Sequence, residues 1–410
     1  MNDVVVTITE LGHRGDGIAK TPDGPFFVPY GLPGETVVVH KQGNRGELEE
    51  IVTPSPDRKL PICAHFGECG GCMVQHFAHE PYLAWKRETV VAALKDRGLD
   101  IPVRLPVGSV AGTRRRAVFN ARRITGGMVF GFNARKTNVT VPITACPVLH
   151  PAIVKALPQL RELAVKLLQG REILRFTVLH TTTGLDVAVN SDNKKTIDAA
   201  YQAAAGNLGA GIVRLSVNGE VVAEAVRPLL EFGKTKVTPP PGGFVQATAE
   251  GEAELAEAVC GPLAGAEKVV DLFAGCGTFS MRLAENSKVH AVETEAASVD
   301  ALLQGSRQAS GLRPITAERR DLFRRPLSAL ELADYDGVVF DPPRAGAAAQ
   351  VAEIAASKVP VVVAISCSPS TFARDIKTLI DGGYVVDEVI TVDQFIWSPH
   401  IELVAVFRRP

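Results

Sequence analysis

The chain has 410 residues, 46% hydrophobic and 22% charged, an ordinary balance for a soluble globular protein with two or three domains. No apolar run approaches the ~20 residues of a membrane span. The start MNDVVVTITELG has neither a basic leader nor an apolar signal core, so a cytoplasmic protein without a membrane partner is expected.

The net charge of −1 hides an uneven spread. Residues 1–55 carry 4 basic and 8 acidic side chains, residues 56–240 carry 25 and 14, and residues 241–410 carry 15 and 23. A basic middle between acidic flanks suggests a local contact with a polyanion, although a solvated basic face has the same composition.

Residues 1–55 read as a small β-barrel. VVVTITELG, PFFVPYG, ETVVVHKQG and GELEEIV alternate or run apolar between Gly and Pro turns. A five-stranded barrel of this size is of the oligonucleotide-binding (OB) type. PSPDRKLP then reads as a linker, residues 60–76 as a cysteine-rich loop, and residues 80–97 as a helix.

Residues 56–240 form a central α+β domain. RRRAVFNARRI, GMVFGFN, ILRFTVLHTT, GLDVAVN, GIVRLSV and EVVAEAV are its strands, with helices near 149–168 and 194–204. TPPPGG at 238–243 is a hinge. Residues 241–410 alternate strand and helix: KVVDLF, KVHAVE, ITAE, YDGVVFD, PVVVAIS, YVVDEVITV and ELVAVF are separated mostly by helical patterns. The fold class is therefore α/β, with a doubly wound, mainly parallel, Rossmann-like C-terminal sheet.

Seven cysteines without a signal peptide argue against a disulfide framework. Cys63, Cys69 and Cys72 follow C-x5-C-x2-C, and Cys146 lies in ACPVL. Clustered thiolates suit zinc or an iron–sulfur cluster, and spacing does not choose between them.

DLFAGCGTF starts with Asp271 at a strand end and places Gly275 and Gly277 in a turn before a helix. Glycines permit a tight turn and close approach of a ligand, though a plain strand–helix junction looks similar. Glu293 ends the next strand, where an acid accepts hydrogen bonds from ribose hydroxyls. Asp321 and Asp341 follow two further strands, and ligands bind at the carboxyl ends of strands in such sheets. The pattern resembles class I S-adenosylmethionine-dependent methyltransferases.

PVVVAISCSPSTFARDI puts Cys367 after an apolar strand and at a helix start, a position that lowers a thiol pKa. WSPHIELVAVF puts Glu402 beside His400. A buried structural cysteine and a surface carboxylate are the plain alternatives. With DPPRAG, these segments resemble the RNA 5-methyluridine methyltransferase family, which has a nucleophile in an SCNP-type motif and a base in an HxE motif. Ser368 stands where that family usually has Asn, Thr278 where Asn is frequent, and HIE where HVE or HLE is usual.

The resemblance covers nearly the whole chain, and it implies the following. Cys367 is the nucleophile and Glu402 the base. Gln246, Phe273, Thr278, Glu293, Asp321 and Asp341 hold S-adenosylmethionine. Cys63, Cys69, Cys72 and Cys146 hold a structural 4Fe–4S cluster, as in RumA-like members. The N-terminal barrel is a TRAM-like module. Thiolate addition to uracil carbon 6 makes carbon 5 nucleophilic toward the methyl group; a base then removes the carbon-5 proton and the thiolate leaves. The target base must be flipped out of its stack.

The expected partner is structured RNA, with 23S ribosomal RNA favoured over transfer RNA, and the expected state is a monomer. A non-catalytic RNA-binding protein with the same fold is a third reading, opposed by the presence of both Cys367 and Glu402. Arg114, Arg115, Arg116, Arg122, Arg123, Arg135 and Lys136 are expected to contact phosphates, and Phe119, Phe130 and Phe132 to belong to the core.

Overall fold

A computed structural model describes residues 3–205, 208–209 and 211–410. Its first sheet has six strands, in the spatial order Asp3–Thr7, Thr36–Gln42, Arg45–Thr53, Gly24–Pro29, Asp16–Thr21 and Glu10–Leu11. It curls around Ile8, Phe26, Val28, Val37 and Val39, the inward residues of the alternating segments. Six strands form where five were expected: VVVTITELG divides into Asp3–Thr7 and Glu10–Leu11, and DGIAKT adds a strand that pairs with GPFFVP from Asp16↔Pro29 to Thr21↔Gly24. Its polar ends hide the alternation: Asp16 is buried, where it accepts from Arg45 at 2.6 Å and from Arg135.

The PSPDRKLP segment is pinned to this sheet by a buried carboxylate. Arg58 donates to Glu35 through Nε at 2.5 Å and Nη2 at 2.8 Å, and the backbone N–H groups of Leu32 and Ser55 complete the shell. Burial pushes the Glu35 carboxyl up, but these donors outweigh it and hold the group below its usual range. Breaking such a pair typically costs about 3–5 kcal/mol, because the remaining charge is left buried.

The second sheet has seven strands, in the order Thr140–Pro142, Gly127–Asn133, Arg116–Ile124, Leu174–Thr181, Gly184–Asn190, Ile212–Val217 and Glu220–Glu224. Helix Pro151–Leu167 presents Leu157, Leu160 and Ala164 to a core shared with Phe119, Phe130 and Phe176. Phe119 and Phe130 are core residues, stacked 5.0 Å apart, and Phe132 is half-buried beside them.

The basic residues of this region depart from the expected RNA-facing stripe. Arg115 is buried and ion-paired with Glu252. Arg114 and Arg116 are half-buried, and burial lowers the pKa of both. Arg135 is spent on Asp16, and Lys136 lies 3.9 Å from the same carboxylate. Arg122 is half-buried, while Arg123 is exposed with one N–H on the Leu168 carbonyl. The reason is non-local: the acceptors for Arg115 and Arg116 are Gln246 O, Glu252 and Gly242 O, more than a hundred residues further along the chain.

The third sheet has eight strands, in the order Ile315–Arg319, Lys288–Glu293, Lys268–Leu272, Gly337–Phe340, Val361–Ser366, Glu402–Arg408, Val385–Asp393 and Val107–Gly108. The first five are mutually parallel, Glu402–Arg408 runs antiparallel to both neighbours, and Val107–Gly108 adds a short parallel edge. Their near-continuous Val and Ile runs suit strands covered on both faces. Lys268–Leu272 has Lys288–Glu293 on one side and Gly337–Phe340 on the other, so strand order reverses there and opens a crevice at the carboxyl ends.

Helix His79–Lys95 precedes the second sheet in sequence, yet Val90, Leu94, Leu99 and Val103 pack in the same core as Val270, Phe340 and Leu379 of the third. Among the described residues, no helix is long and apolar enough to cross a membrane.

Candidate active site

The turn after Lys268–Leu272 is built on unusual backbone. Phe273 has φ 61°, Gly275 55° and Gly277 99°. A Cβ at Gly277 would lie 3.1 Å from Leu302 Cγ and 3.2 Å from Met281 Cε, so space and φ both call for glycine. Glu293 clamps the turn: Gly275 N–H donates to one carboxylate oxygen at 3.0 Å, and those of Thr294 and Glu295 donate to the other at 2.6 and 2.9 Å. Phe273, bulky and left-handed, is held against Phe323 with ring centroids 5.6 Å apart.

Asp271 is buried behind the turn. Ser280 Oγ donates to one oxygen at 2.5 Å, and the other, Oδ1, has no hydrogen-bond partner. Burial, with Asp341 nearby, pushes its carboxyl up to about 7 against the Ser280 bond. Burial likewise lifts Asp341 to about 7, although Gln246 Nε2 donates to it at 3.1 Å. Gln246 is itself fixed by Gln394 Nε2, which donates to its side-chain oxygen at 2.8 Å.

A cavity of about 520 Å³ lies at these strand ends. Gln246, Phe273, Glu293, Asp321 and Asp341 line it, and so do Cys367 and Glu402. Thr278 does not line it; it is half-buried and its carbonyl accepts from Arg282 at 2.6 Å. Phe244, Phe323 and Arg344 also line the cavity and were not singled out as cofactor contacts. An exposed Phe244 two residues before Gln246 was the available signal.

Sheet register brings the two catalytic candidates together. Strands Val361–Ser366 and Glu402–Arg408 are antiparallel, with Ile365↔Val404 and Ser366↔Leu403 paired. Cys367 is the residue that follows Ser366 and Glu402 the one that precedes Leu403, so the end of this ladder brings both to the same cavity. Helix Pro369–Asp381 follows, with Pro at its first turn and Ser368 as N-cap.

The Cys367 thiol is nevertheless pushed up to about 11. Burial is the main cause, and Glu402 and Asp341 add to it against Arg344. This corrects the lowered value expected at a helix start: two carboxylates and desolvation outweigh the helix end. Glu402 is buried and lifted to about 8, by burial first and then by Asp341, with Arg344 and Lys86 opposing. His400 is pushed down to about 4 by burial, Arg344, Lys86 and Arg114, so it is neutral. Arg344 Nη2 lies 3.0 Å from its Nδ1.

The site in free form thus stores protons on a thiol and on acids. A thiolate requires that negative charge nearby be offset or that a proton be passed on as substrate enters. Arg344, which opposes both upward shifts, is the adjacent cation.

Cys63, Cys69, Cys72 and Cys146 line a second cavity, of about 440 Å³. All four are free thiols. Gly70 N–H donates to Asn133 O at 2.9 Å, Gln75 Oε1 accepts from Cys63 N at 2.8 Å, and Cys69 bridges Ala134, so the loop folds onto the second sheet. Cys72 is pushed up to about 12, by burial and then by Cys146, Cys69 and Cys63. Among the described residues, no group of three or more His, Cys, Asp or Glu side chains is arranged to hold a metal ion. Arg114, Arg116, Arg344, Phe395 and His400 line both cavities and form their common wall. Arg114 sits over the Phe395 ring, 5.2 Å from its centroid.

Residues 114–409 match the family model described as tRNA (Uracil-5-)-methyltransferase, and residues 3–40 match the TRAM domain. An uncharacterized RNA methyltransferase of Brucella suis biovar 1 is 47% identical over 404 residues, covering 98% of this chain and 97% of that one. The 23S rRNA (uracil(1939)-C(5))-methyltransferase RlmD of Chromohalobacter salexigens is 32% identical, covering 98% and 89%. Among solved structures, Pyrococcus abyssi tRNA (uracil-54, C5)-methyltransferase in complex with S-adenosyl-L-homocysteine superposes with TM-score 0.76, at 24% identity and covering 98% and 99%, which shows the shared fold.

Proposed function

We propose, from the premise that this chain belongs to the tRNA (uracil-5-)-methyltransferase family, how its own residues carry out S-adenosylmethionine-dependent methylation of uracil carbon 5 in structured RNA. The observation that carries the assignment is that Cys367, directly after strand Val361–Ser366, and Glu402, which opens the antiparallel strand Glu402–Arg408, line one cavity.

S-adenosylmethionine supplies the methyl group as an electrophile. Its seat is the carboxyl-end crevice, where Glu293 closes the glycine turn, Asp321 and Phe323 line one side, and Gln246 and Asp341 line the other. The lining fits a cationic, ribose-bearing ligand: the acids Glu293, Asp321 and Asp341 and the exposed aromatic rings of Phe244 and Phe323. Thr278 lies outside this lining.

Cys367 adds as a thiolate to carbon 6 of the flipped uracil, and carbon 5 becomes the nucleophile. After methyl transfer Glu402, as carboxylate, takes the proton from carbon 5, the carbon 6–sulfur bond breaks, and Cys367 leaves with the electron pair. A carboxyl lifted to about 8 is a stronger base than an ordinary glutamate once ionised. Arg344 stabilises the negative charge passed between Cys367 and Glu402.

For the RNA class, the family description supports transfer RNA ahead of the ribosomal RNA that the sequence first favoured. The second reading, large-subunit ribosomal RNA, rests on the 32% identity to a 23S enzyme over almost the whole chain. The four cysteines are assigned to a 4Fe–4S cluster. What supports this is that all four line one cavity and that none of them is in a disulfide.

The test is nucleoside mass mapping of both RNA classes from a deletion strain, with peptide mapping of the adduct formed on 5-fluorouridine RNA. Loss of 5-methyluridine from transfer RNA alone is expected. Loss from 23S RNA alone selects the second reading, and an adduct on Cys260 or Cys276 overturns the nucleophile.

A further inference from the structure

Lys86 lies on helix His79–Lys95, far in sequence from the catalytic motifs, and is 1% exposed. Its ammonium donates to Asp393 Oδ1 at 2.5 Å, to the His400 carbonyl at 2.6 Å and to the Phe395 carbonyl at 3.3 Å. An ammonium has three N–H donors, and three acceptors use all of them. All three acceptors belong to one segment, residues 393–400, which leads directly into Glu402.

That segment is closed on itself around the lysine. Phe395 N–H donates to Asp393 Oδ1 at 2.9 Å, Ser398 Oγ donates to Phe395 O at 2.9 Å, and His400 N–H donates to Ser398 Oγ at 3.3 Å. Tyr82, one turn before Lys86, donates to the other oxygen of Asp393 and accepts from Trp397 N–H at 2.9 Å. Trp397 has φ 61°, a conformation that persists only where its surroundings enforce it. A buried ion pair brings little net stability over an apolar pair. The pair lies under the segment that leads into Glu402, so what it holds in place is that segment.

We propose that Lys86 is a positioning residue for the general base: through Asp393, Phe395 O and His400 O it fixes residues 393–400, the segment that delivers Glu402 to the cavity it shares with Cys367. This rests on the assignment of Glu402 as base. The charged and titratable groups that act on Glu402 are Asp341 and Arg344 from the loop after Gly337–Phe340, Cys367 from the position after strand Val361–Ser366, and Lys86 from the helix. Of these, Lys86 and Arg344 hold the carboxyl down, while burial and Asp341 push it up.

The inference separates two steps. Thiolate addition and methyl transfer need Cys367, whereas release of the adduct needs Glu402. Lys86→Met should leave formation of the methylated adduct within a few-fold of wild type. It should slow release on the order of 10²-fold, the scale of a small misplacement of a catalytic group. The rising limb of the release rate against pH should move to higher pH, because a lost cation makes Glu402 harder to ionise.

Asp393→Asn supplies a second, gentler variant. It keeps an oxygen toward Nζ but removes the charge that holds the lysine protonated, so release should slow in the same step and more strongly as pH rises. Both are read in single-turnover experiments with labelled S-adenosylmethionine and full-length protein, after S-adenosylhomocysteine binding confirms folding. Equal slowing of adduct formation and release, or an unchanged release limb in both variants, overturns the proposal. Absence of a stalled adduct in Glu402→Gln overturns the base assignment instead, so the two failures are distinguishable.

Discussion

Arg115 of the central sheet and Glu252 of helix Ala249–Cys260 form an ion pair inside the protein, and the second carboxylate oxygen of Glu252 accepts from Arg282 at 2.8 Å. Arg115 also donates through Nε to the Gln246 carbonyl at 3.0 Å. One guanidinium thus joins the central sheet, the segment carrying Gln246 and the helix behind the glycine turn.

Arg115→Ala is accordingly expected to destabilise the protein by about 3–5 kcal/mol, the usual cost of leaving one partner of a buried pair. Denaturant unfolding measures this. The slope of log RNA affinity against log salt should stay as in wild type, because no phosphate contact is removed. A flattened slope with unchanged stability would place Arg115 on the RNA after all.

Cys367→Ala and Glu402→Gln should fail at different points. The first abolishes turnover and forms no covalent RNA complex. The second retains the thiol and the cofactor crevice, so methyl transfer proceeds and a methyl-labelled protein–RNA adduct persists on denaturing gels. An absence of adduct in both variants and with 5-fluorouridine RNA rules out the covalent route.

Cofactor affinity should depend on pH with a defined sign. Asp341 and Asp271 are held near 7 and Glu402 near 8, so the folded, cofactor-free protein carries protons that the unfolded chain releases above about pH 4. Stability should therefore fall as pH rises from about 5 to 8. A sulfonium cation favours the ionised acids, so binding of S-adenosylmethionine releases protons and tightens over pH 6 to 8, by at most about tenfold per unit for each proton released. Neutral-sulfur S-adenosylhomocysteine should show a weaker slope. Calorimetric titration at several pH values checks both, and equal slopes would place the acids away from the sulfonium.

Cys72→Ser should cost iron and also disturb the base. Met73 and Val74 N–H groups donate to the Trp397 carbonyl at 2.8 and 3.1 Å, so the cysteine loop abuts the segment before Glu402. Anaerobically purified wild type should be brown and bleached by dithionite. The variant should lose that absorbance and slow adduct release. Stoichiometric zinc in a colourless wild type would displace the iron–sulfur assignment.

Much of this architecture was legible in the sequence because local pattern and tertiary environment agree. GMVFGFN, GLDVAVN and KVHAVE form strands with the expected limits, and the alternation of strand and helix after residue 241 becomes a mainly parallel sheet. The roles given to Cys367 and Glu402 came from the resemblance of their segments to family motifs, and the structure places both residues on one cavity. What escaped is non-local. Lys86 and Asp393 are 307 positions apart, and nothing near either marks the other. The Arg114–Arg116 triplet has the composition of a phosphate-binding surface, and only the packing of one sheet on another turns it inward. The lowered thiol pKa expected for Cys367 did not hold, because burial first, and then Glu402 and Asp341 from other parts of the sheet, raise it.

The two-residue strand Val107–Gly108 pairs with Val392 and Asp393, partners whose separation is 285 positions (392 less 107). During synthesis, the helix and edge strand that belong to the catalytic sheet emerge early and then wait for almost the entire remaining chain. Such long-range closure is slow and leaves apolar surface, here Val90, Leu94 and Val103, unprotected until the last strands exist. A fragment comprising only residues 241–410 lacks those pieces altogether. Its sheet would end in an open strand edge at Val385–Asp393, a template for pairing with other chains, and Asp393 would be left without its lysine.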